Sequence, residues 1–312
     1  MNLSLNIVLL SNQQIDKKRW DETMESSQNG IVYGYTWYLD AVFPNWTALV
    51  SEDYSYIFPI TSNRKFGLSY WYSPIYTMQL GVFSKNEITD EVLNLFYKLL
   101  PNSIISFDFS VNSKIQQIPD GFTTYIKTCQ YIDLTSSYTE LEKVYSTNLK
   151  RNLKKANKAN LRIEQSHDVA SVVSMFRTYR GESLENTTEK DYEILYNLIQ
   201  HSLFVQKGKI FQVYLEQELL ASCFFSYTNN RIIYHKGGVN SKGKKIGAMH
   251  FLIDYLLQEN EQTNYIFDFG GSSIPSVKQF NCNFSKSEYT YLQLIKGIRW
   301  IALGRKIKNK LF

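Results

Sequence analysis

A tract of glycines and lysines is the part of the sequence best suited to chemistry. It runs from Gly237 to Lys245 and contains three glycines and three lysines between an extended run and an amphipathic run. Backbone N–H groups in such a loop, together with the positive end of the following helix, attract anions. The tract therefore predicts a seat for a phosphate or pyrophosphate. A solvated surface turn without a ligand is the alternative.

Other nucleotide and metal motifs fit poorly. Gly238, Gly243 and Lys244 satisfy the pattern G-x-x-x-x-G-K, but Lys245 stands where a P-loop needs a serine or threonine for Mg²⁺. The sequence has no G-x-S-x-G elbow, no H-E-x-x-H and no G-x-G-x-x-G, and no ligands at zinc spacing. We therefore expect no metal and no triphosphatase activity.

The elements around the tract are predicted from periodicity. Ile210–Leu215, Leu219–Tyr227 and Arg231–Lys236 are β-branched and aromatic runs that predict an antiparallel meander. After the tract, apolar residues recur at helical spacing, which predicts a helix that begins near Ile246. A last strand is predicted at Tyr265–Phe269. The tract should thus join a strand to a helix.

The same order of features occurs earlier in the chain. A tyrosine, a G-V-x-S tetrad, a helix and an F-D-F strand recur at offsets of 158, 157 and 160 residues. Preserved order predicts two copies of one α/β domain, which we divide at 1–136 and 137–312. Where the second copy has its lysines, the first has Ser84-Lys85-Asn86-Glu87, a poorer anion seat. The first copy is therefore expected to frame an acceptor.

A strongly basic helix is predicted at Ser146–Arg162. Leu149, Leu153 and Ala156 form a thin apolar seam, and lysines at positions 150, 154 and 158 repel one another at i, i+4 spacing. The helix presents either a solvated face or a surface for an anionic ligand, such as nucleic acid or a phosphate-bearing substrate.

Composition limits the class of protein. The chain has 312 residues, 44% of them hydrophobic, and a net charge of +5, which suits two globular domains. Three cysteines without a C-x-x-C argue for a reducing interior, and Met1–Leu10 lacks the features of a signal peptide. We expect a cytoplasmic protein without a membrane span. The basic segment Lys296–Lys310 is expected to form a helix that packs on its own domain or lies on anionic membrane.

Three of these segments resemble the GNAT acyltransferase superfamily, and specifically its double-domain, FemAB-like branch. They are Ser146–Arg162, Tyr234–Leu257 and the run F-D-F-G-G-S-S-I-P that continues from Phe267 to Phe284. Trp37–Gly81 is similar to the first domain of bacterial members whose substrate is unknown. The resemblance implies two tandem GNAT-like domains of the α/β (α+β) class, each a mixed, mostly antiparallel twisted sheet flanked by helices.

In function, the resemblance implies transfer of an acetyl or aminoacyl group from acyl-CoA or aminoacyl-tRNA to an amine, in cell-envelope or polysaccharide metabolism. The strand Ile232–Val239 would splay from its neighbour and pair with the pantetheine arm of acyl-CoA. The residues implied for the cofactor are Gly238, Val239, Lys242, Gly243, Lys244, Gly247 and Ala248.

The acceptor would be an amine on a small molecule, a peptide or a glycan. The candidate bases that would deprotonate this amine are Glu182, His235 and Asp268. His235 and Asp268 are also typical of residues with a structural role. If water relays the proton, none of the three is needed. Substrate contacts are assigned to Tyr33, Trp37, Tyr72, Gln79, Lys150, Arg151 and Arg180. The alternative function is a binding module without catalysis, whose lysines neutralise an RNA or an acidic glycan.

Overall fold

The computed structural model describes residues 5–65, 67–115, 117–180, 187–271 and 274–297. In chain order its elements are β1 (Ile7–Ser11), α1 (Lys17–Ser26), α2 (Thr36–Val42), β2 (Thr47–Ser51), β3 (Tyr56–Ile60), β4 (Ser62–Lys65), β5 (Leu68–Tyr72), β6 (Phe83–Ser84), α3 (Asp90–Lys98), β7 (Ile104–Ser110), β8 (Thr123–Asp133), α4 (Tyr138–Leu141), α5 (Thr147–Lys158), β9 (Arg162–Ser166), α6 (Val169–Tyr179), α7 (Glu189–Phe204), β10 (Gly208–Leu215), β11 (Glu218–Thr228), β12 (Arg231–Val239), α8 (Ser241–Ile246), α9 (Ala248–Glu259), β13 (Ile266–Asp268), α10 (Pro275–Asn281) and β14 (Glu288–Gly297).

The chain forms two compact units. Unit 1 takes its described residues from Met1–Lys127 and from Thr290 onward, and unit 2 is Thr128–Tyr289. The sequence-based division at residue 137 differs from these bounds. The reason is that β14 pairs with β7, with Leu294 opposite Phe109, so the chain returns to unit 1 after unit 2 is complete. The division into two GNAT-like domains at 137 stays a prediction.

Unit 1 contains two groups of paired strands. β1, β2, β3 and β6 are antiparallel, and a second group has the order β4-β5-β7-β14, in which β5 and β7 are parallel. Its core is strongly aromatic: Trp71 stacks on Phe109 with ring centroids 4.1 Å apart, and Phe58 and Phe96 are fully buried beside them. This core holds α3 against the parallel pair.

Unit 2 carries the strand order β8-β13-β12-β11-β10-β9, in which only β12 and β13 are parallel among the described pairs. Helices α5 and α9 bury leucines with Phe225 and Phe267 on one face. Helices α6 and α7 pack on the other face, where Ser171 Oγ of α6 lies 2.8 Å from Ser222 Oγ of β11. Both units are mixed, mostly antiparallel sheets flanked by helices, which confirms the predicted fold class.

The meander β10–β12 and the basic helix α5 are confirmed, but the glycine-lysine tract is different from the prediction. Gly237–Val239 still belong to β12, and the lysines lie on a separate short helix, α8. Gly247 adopts a left-handed conformation (φ +85°) that breaks α8 from α9, so the helix predicted from Ile246 is wrong at its start. Lys296 and Gly297 end β14, and the rest of the predicted C-terminal helix lies outside the described residues.

Candidate active site

The site begins where β12 and β13 part. These parallel strands pair only over three positions, from Arg231 opposite Ile266 to Ile233 opposite Asp268. Past that point Phe269 donates its N–H to the carbonyl of Gln130 on β8, and Gly270, with φ +70°, lies close to the carbonyl of Tyr234. On its other edge β12 stays paired with β11 as far as Val239. The parallel pairing of β12 therefore ends well before the strand does.

A cleft opens beside this part of β12. It has a volume of about 250 Å³, and its wall is mostly apolar. Four parts of unit 2 contribute to it: the end of α6, the end of β12, the α8–α9 pair, and α10. Its lining residues are Arg180, Tyr234, Gly237, Gly238, Val239, Gly243, Lys244, Gly247, Met249, His250, Ser276, Val277, Phe280 and Asn281.

Gly238 is required by a close approach of backbone to backbone. A Cβ on this residue would lie 2.0 Å from the carbonyl oxygen of Met175 in α6. No side chain fits there, so α6 lies directly against β12 and fixes the back of the cleft. The sequence predicted Gly238 as a ligand-binding residue, and its packing against α6 is an additional reason for glycine.

The start of α8 is already capped. Asn240 Oδ1 accepts a 2.7 Å hydrogen bond from the N–H of Gly243, and this satisfies one of the donors that the sequence offered to an anion. Lys244 lines the cleft with an exposed side chain. Lys242 instead forms a 2.6 Å ion pair with Glu218, at the β10–β11 hairpin. The cationic edge of the cleft is therefore smaller than the sequence predicted.

Five of the seven predicted cofactor residues line the cleft: Gly238, Val239, Gly243, Lys244 and Gly247. The other two do not. Lys242 is held by Glu218, and Ala248 is fully buried in the core of unit 2, since it is the first residue of α9 and faces inward.

His235, a predicted base, is held within the sheet. Its Nε2 lies 2.7 Å from Ser226 Oγ, and its ring stacks on Phe224 with centroids 5.1 Å apart. Burial, with a smaller contribution from the charge of Lys236, lowers the pKa of His235 to about 3. A group with this pKa takes up a proton weakly near neutral pH. These contacts favour a structural role for His235.

Asp268, the second predicted base, is enclosed by four donors. It accepts hydrogen bonds from Arg231 Nη1 at 2.6 Å, from the Tyr289 hydroxyl at 2.8 Å, from Cys129 Sγ at 2.8 Å and from the N–H of Gly270 at 2.8 Å. Burial raises the pKa of the Cys129 thiol, and the carboxylate beside it raises it further, so the thiol stays protonated and can donate. This arrangement favours a structural Asp268 that closes the turn at Gly270. Glu182, the third predicted base, lies outside the described residues.

The predicted substrate residues are spread over both units. Three of the unit 1 residues are aromatic and contact other aromatic rings: Tyr33 is buried edge-on against Tyr38, Trp37 is half-buried beside Tyr35, and Tyr72 stacks on Tyr70. The fourth, Gln79, is buried and accepts a hydrogen bond from the N–H of Ser113. In unit 2, Arg180 lines the cleft. Arg151 is exposed and donates to Asn148, and Lys150 lines a second groove. The structure therefore brings only Arg180 to the cleft residues.

The second groove lies between α5 and α9 and has a volume of about 770 Å³. Lys150, Lys154 and Lys158 line it, and at its base Asp254 accepts hydrogen bonds from the hydroxyls of Tyr138 and Tyr145, both at 2.9 Å. Burial raises the pKa of Asp254, although these hydrogen bonds lower it in part. The groove combines cations with aromatic side chains.

The sequence did not single out several cleft residues, above all His250. This histidine lies three residues after Gly247, in the first turn of α9, and its ring packs 4.7 Å from that of Phe280. Burial lowers the pKa of His250 to about 4. A histidine at helical spacing from a glycine break is a weak signal, since most such residues pack in a core.

The three cysteines are free thiols, with Cys129 and Cys223 buried. Among the described residues there is no group of three or more His, Cys, Asp or Glu side chains placed to hold a metal ion. Within the same residues no helix combines the length and the apolar character needed to cross a lipid bilayer.

Comparison with known proteins identifies the class of fold. Residues 143–276 match the family model of the acetyltransferase (GNAT) domain. No curated protein sequence matches the chain. The fold is similar to that of FemX, with 11% identity, 96% of this chain and 98% of that chain covered, and a TM-score of 0.69.

Two further structures extend this similarity. L-PGS from Bacillus licheniformis gives a TM-score of 0.59 at 13% identity, over 95% of this chain and 96% of that one. A tandem GNAT protein from the clavulanic acid biosynthesis pathway gives 0.51 at 8% identity, over 93% and 98%. Residues 143–276 are therefore similar to a GNAT domain, and the chain as a whole has a fold similar to that of FemX and of a tandem GNAT protein, which confirms the tandem, FemAB-like fold that the sequence predicted.

Proposed function

We propose that the protein is an N-acyltransferase that uses the cleft beside β12 for the arm of an acyl donor. The observation that carries this proposal is the early end of the β12–β13 pairing, which leaves an apolar cleft along Tyr234–Val239. A cleft of about 250 Å³ with mostly apolar walls suits an extended, uncharged chain. Lys244 at its edge suits the anionic group to which such an arm is attached.

The donor that fits these features is an acyl-CoA, with acetyl-CoA the simplest case. Its pantetheine arm would lie along β12, and its pyrophosphate would lie near Lys244 and Gly247. An aminoacyl-tRNA is the second donor class, because it too carries an activated acyl group next to phosphates. Use of acyl-CoA agrees with the cytoplasmic location predicted from the sequence.

In the reaction a neutral amine attacks the acyl carbonyl carbon. A C–N bond forms, the C–S bond of the thioester breaks, and the amine's proton ends on the leaving thiolate or in water. A backbone N–H of β12 on the edge that is no longer paired with β13 would stabilise the negative charge that develops on the carbonyl oxygen. Neither His235 nor Asp268 lines the cleft. We therefore assign deprotonation to water or to Glu182, which stays a prediction.

The acceptor is an amine on a small molecule, a peptide or a glycan, and we place its entry on the side of Arg180, the one predicted substrate residue that lines the cleft. The guanidinium group of Arg180 would favour an acceptor that also carries a carboxylate or phosphate.

The test is release of free thiol from a panel of acyl-CoA thioesters in the presence of amine acceptors. We expect one combination to release thiol in an enzyme-dependent manner and Lys244→Glu to raise KM for the donor. Lys85→Glu, which changes an exposed lysine of unit 1, is the control and should have no effect. If no acyl-CoA raises the melting temperature of the protein, acyl-CoA use is rejected.

A second candidate function is supported by the groove between α5 and α9. Lys150, Lys154 and Lys158 repeat every four residues along α5, a spacing of about 6 Å. This is comparable to the distance between successive phosphates of a single strand, and Phe251 and Tyr255 in the same groove offer surfaces on which bases could stack. The groove therefore suits an RNA strand.

RNA binding is tested by titrating a single-stranded RNA at several salt concentrations. Binding to the groove should weaken steeply with salt and be lost in the variant Lys150→Gln/Lys154→Gln, whereas Lys244→Glu should leave it unchanged. Absence of any salt-sensitive binding rejects this candidate.

A further inference from the structure

Two polar atoms in the wall of the cleft have no hydrogen-bond partner among the described residues. They are Asn281 Nδ2, at the end of α10, and His250 Nε2, in the first turn of α9. Both atoms are buried, and Asn281 as a whole is only 1% exposed. Both residues line the cleft. Buried polar groups are nearly always paired in folded proteins, so two orphans in one cleft point to a ligand.

The His250 ring and the backbone of Asn281 are held in place by their surroundings. The His250 ring packs on Phe280 at 4.7 Å and stacks on Phe284 at 6.0 Å. The carbonyl of Asn281 accepts a 3.0 Å hydrogen bond from the N–H of Phe284, which fixes the end of α10. The His250 ring cannot turn its Nε2 to solvent without leaving these contacts, and the backbone that carries Asn281 is fixed at the end of α10. The two groups are therefore preorganised for a ligand.

The chemistry of the two atoms restricts that ligand. Asn281 Nδ2 can only donate, so it requires an acceptor such as a carbonyl oxygen. Burial lowers the pKa of His250 to about 4, so its imidazole is uncharged near neutral pH. One nitrogen of a neutral imidazole can accept a hydrogen bond. A secondary amide offers both partners at once, a C=O for Asn281 and an N–H for His250. A pantetheine arm contains two such amides, whereas the 3′ ester of an aminoacyl-tRNA places none beside its acyl carbon.

We propose that Asn281 and His250 are specificity-determining residues that recognise a secondary amide in the pantetheine arm of the donor. This inference rests on the proposed function and refines it, because it selects a thioester on pantetheine over an ester on RNA. The rest of the cleft wall, which is mostly apolar, then contributes contact area. The hydrogen bonds with these two residues fix the position of the arm in the cleft.

The experiment compares two probes on four proteins by calorimetry. Coenzyme A carries the arm, and adenosine 3′,5′-bisphosphate lacks it. The proteins are the wild type, Asn281→Leu, His250→Phe and the control Gln279→Leu, which removes an exposed amide from the same helix α10. We expect Asn281→Leu and His250→Phe each to weaken coenzyme A binding about fivefold, and to leave the bisphosphate unaffected.

Melting temperatures of the unliganded proteins separate recognition from a structural role. Because each replacement removes an unpaired buried polar atom and keeps the size of the side chain, we expect the melting temperature of both variants to be unchanged or higher. Equal coenzyme A affinity in all four proteins, or a loss of stability without a loss of affinity, overturns the inference. If the wild type binds neither probe, the proposed donor itself is wrong and the inference falls with it.

Discussion

The two units repeat one arrangement and use it differently. In unit 2, β12 and β13 are parallel across α8 and α9, with Ile233 opposite Asp268. In unit 1, β5 and β7 are parallel across α3, with Tyr72 opposite Asp108. The two aspartates are 160 residues apart, as in the sequence repeat. The tyrosines of that repeat do not occupy equivalent positions, because Tyr234 lies within β12 and Tyr76 lies in the turns after β5.

The units differ in the segment after the parallel pair. In unit 1 the chain after β5 stays bonded to the β7 side: Ser73 donates its N–H to the carbonyl of Asp108, and Leu80 donates to the carbonyl of Ser110 and accepts from Asn112. In unit 2 the corresponding pairing ends at Asp268, two residues before the left-handed Gly270. Parallel strands with one topology can therefore lie beside either a closed wall or an open cleft, depending on the path of the following segment.

The aspartates should give the largest contrast in stability. Asp268 is 2% exposed and pairs with Arg231, so Asp268→Asn leaves a buried cation without its carboxylate and should cost about 3–5 kcal/mol of the free energy of unfolding. Asp108 is half-buried and accepts from the neutral amide of Gln293, so Asp108→Asn should cost about 1 kcal/mol. Urea denaturation measures both. Equal losses would remove the distinction between the two positions.

Substitutions at Gly81 and Gly238, the equivalent glycines of the repeat, should both lower stability but differ in their effect on donor binding. Gly238→Ala places a Cβ against the backbone of Met175 and should cost about 3 kcal/mol and weaken donor binding, because α6 must move away from the cleft. Gly81→Ala, at φ +131°, should cost about 1–3 kcal/mol through backbone strain and leave binding unchanged. Denaturation and calorimetry together check this. Unchanged binding in the stable fraction of Gly238→Ala would contradict it.

Acid should destabilise unit 2 selectively, since all four histidines lie after residue 166. Burial holds the pKa of His235 at about 3 and that of His250 at about 4, below the value of about 6.5 expected in the unfolded chain. The unfolded chain therefore takes up protons that the folded chain does not, and stability is lost as the pH falls from 6.5 towards 4.

The melting temperature should fall between pH 7 and pH 5, by about 2–4 °C for each kcal/mol of the free energy of unfolding that is lost. The double variant His235→Gln/His250→Phe should show a smaller fall by thermal denaturation at the two pH values. An identical fall in the variant would assign the acid sensitivity to other groups.

The smallest effect concerns the anion seat. Lys244 is exposed at the cleft edge, so Lys244→Gln should weaken coenzyme A binding about threefold, and less at high salt. Lys85→Gln, the matching change in unit 1, should have no effect on binding in the same calorimetric titration. A stronger effect of Lys85 than of Lys244 would reverse the roles of the two units.

Local patterns in the sequence were sufficient for much of the fold. The seam of Leu149, Leu153 and Ala156 predicted α5, and these residues are buried as expected. The break at Gly247 was not predictable from the same rule, because the apolar residues on either side of it keep helical spacing. The return of residues 290–297 to β7 depends on pairing with a strand that lies more than half the chain earlier, and no local pattern reveals it.

Local sequence features also indicated some of the residues that line the cleft, but not all of them. Gly238 and Lys244 belong to a glycine-lysine tract whose chemistry is recognisable, whereas Val239 and Gly247 were implied by the resemblance to GNAT proteins; all four line the cleft. Lys242 was assigned to the same seat, but its partner Glu218 comes from a distant hairpin. Asn281 and His250 were not predictable from the sequence, because only the folded structure shows that a buried polar atom lacks a partner among the described residues.

The placement of β14 has a consequence for biosynthesis. Unit 1 includes β7, which ends at Ser110, and the stretch from Thr290 that pairs with it. Roughly 180 residues must be translated between the two, which takes roughly ten to forty seconds at ordinary elongation rates. On the ribosome the nascent first unit therefore waits with one edge of β7 unpaired while the second unit emerges complete, so the unit encoded last is the first that can finish folding.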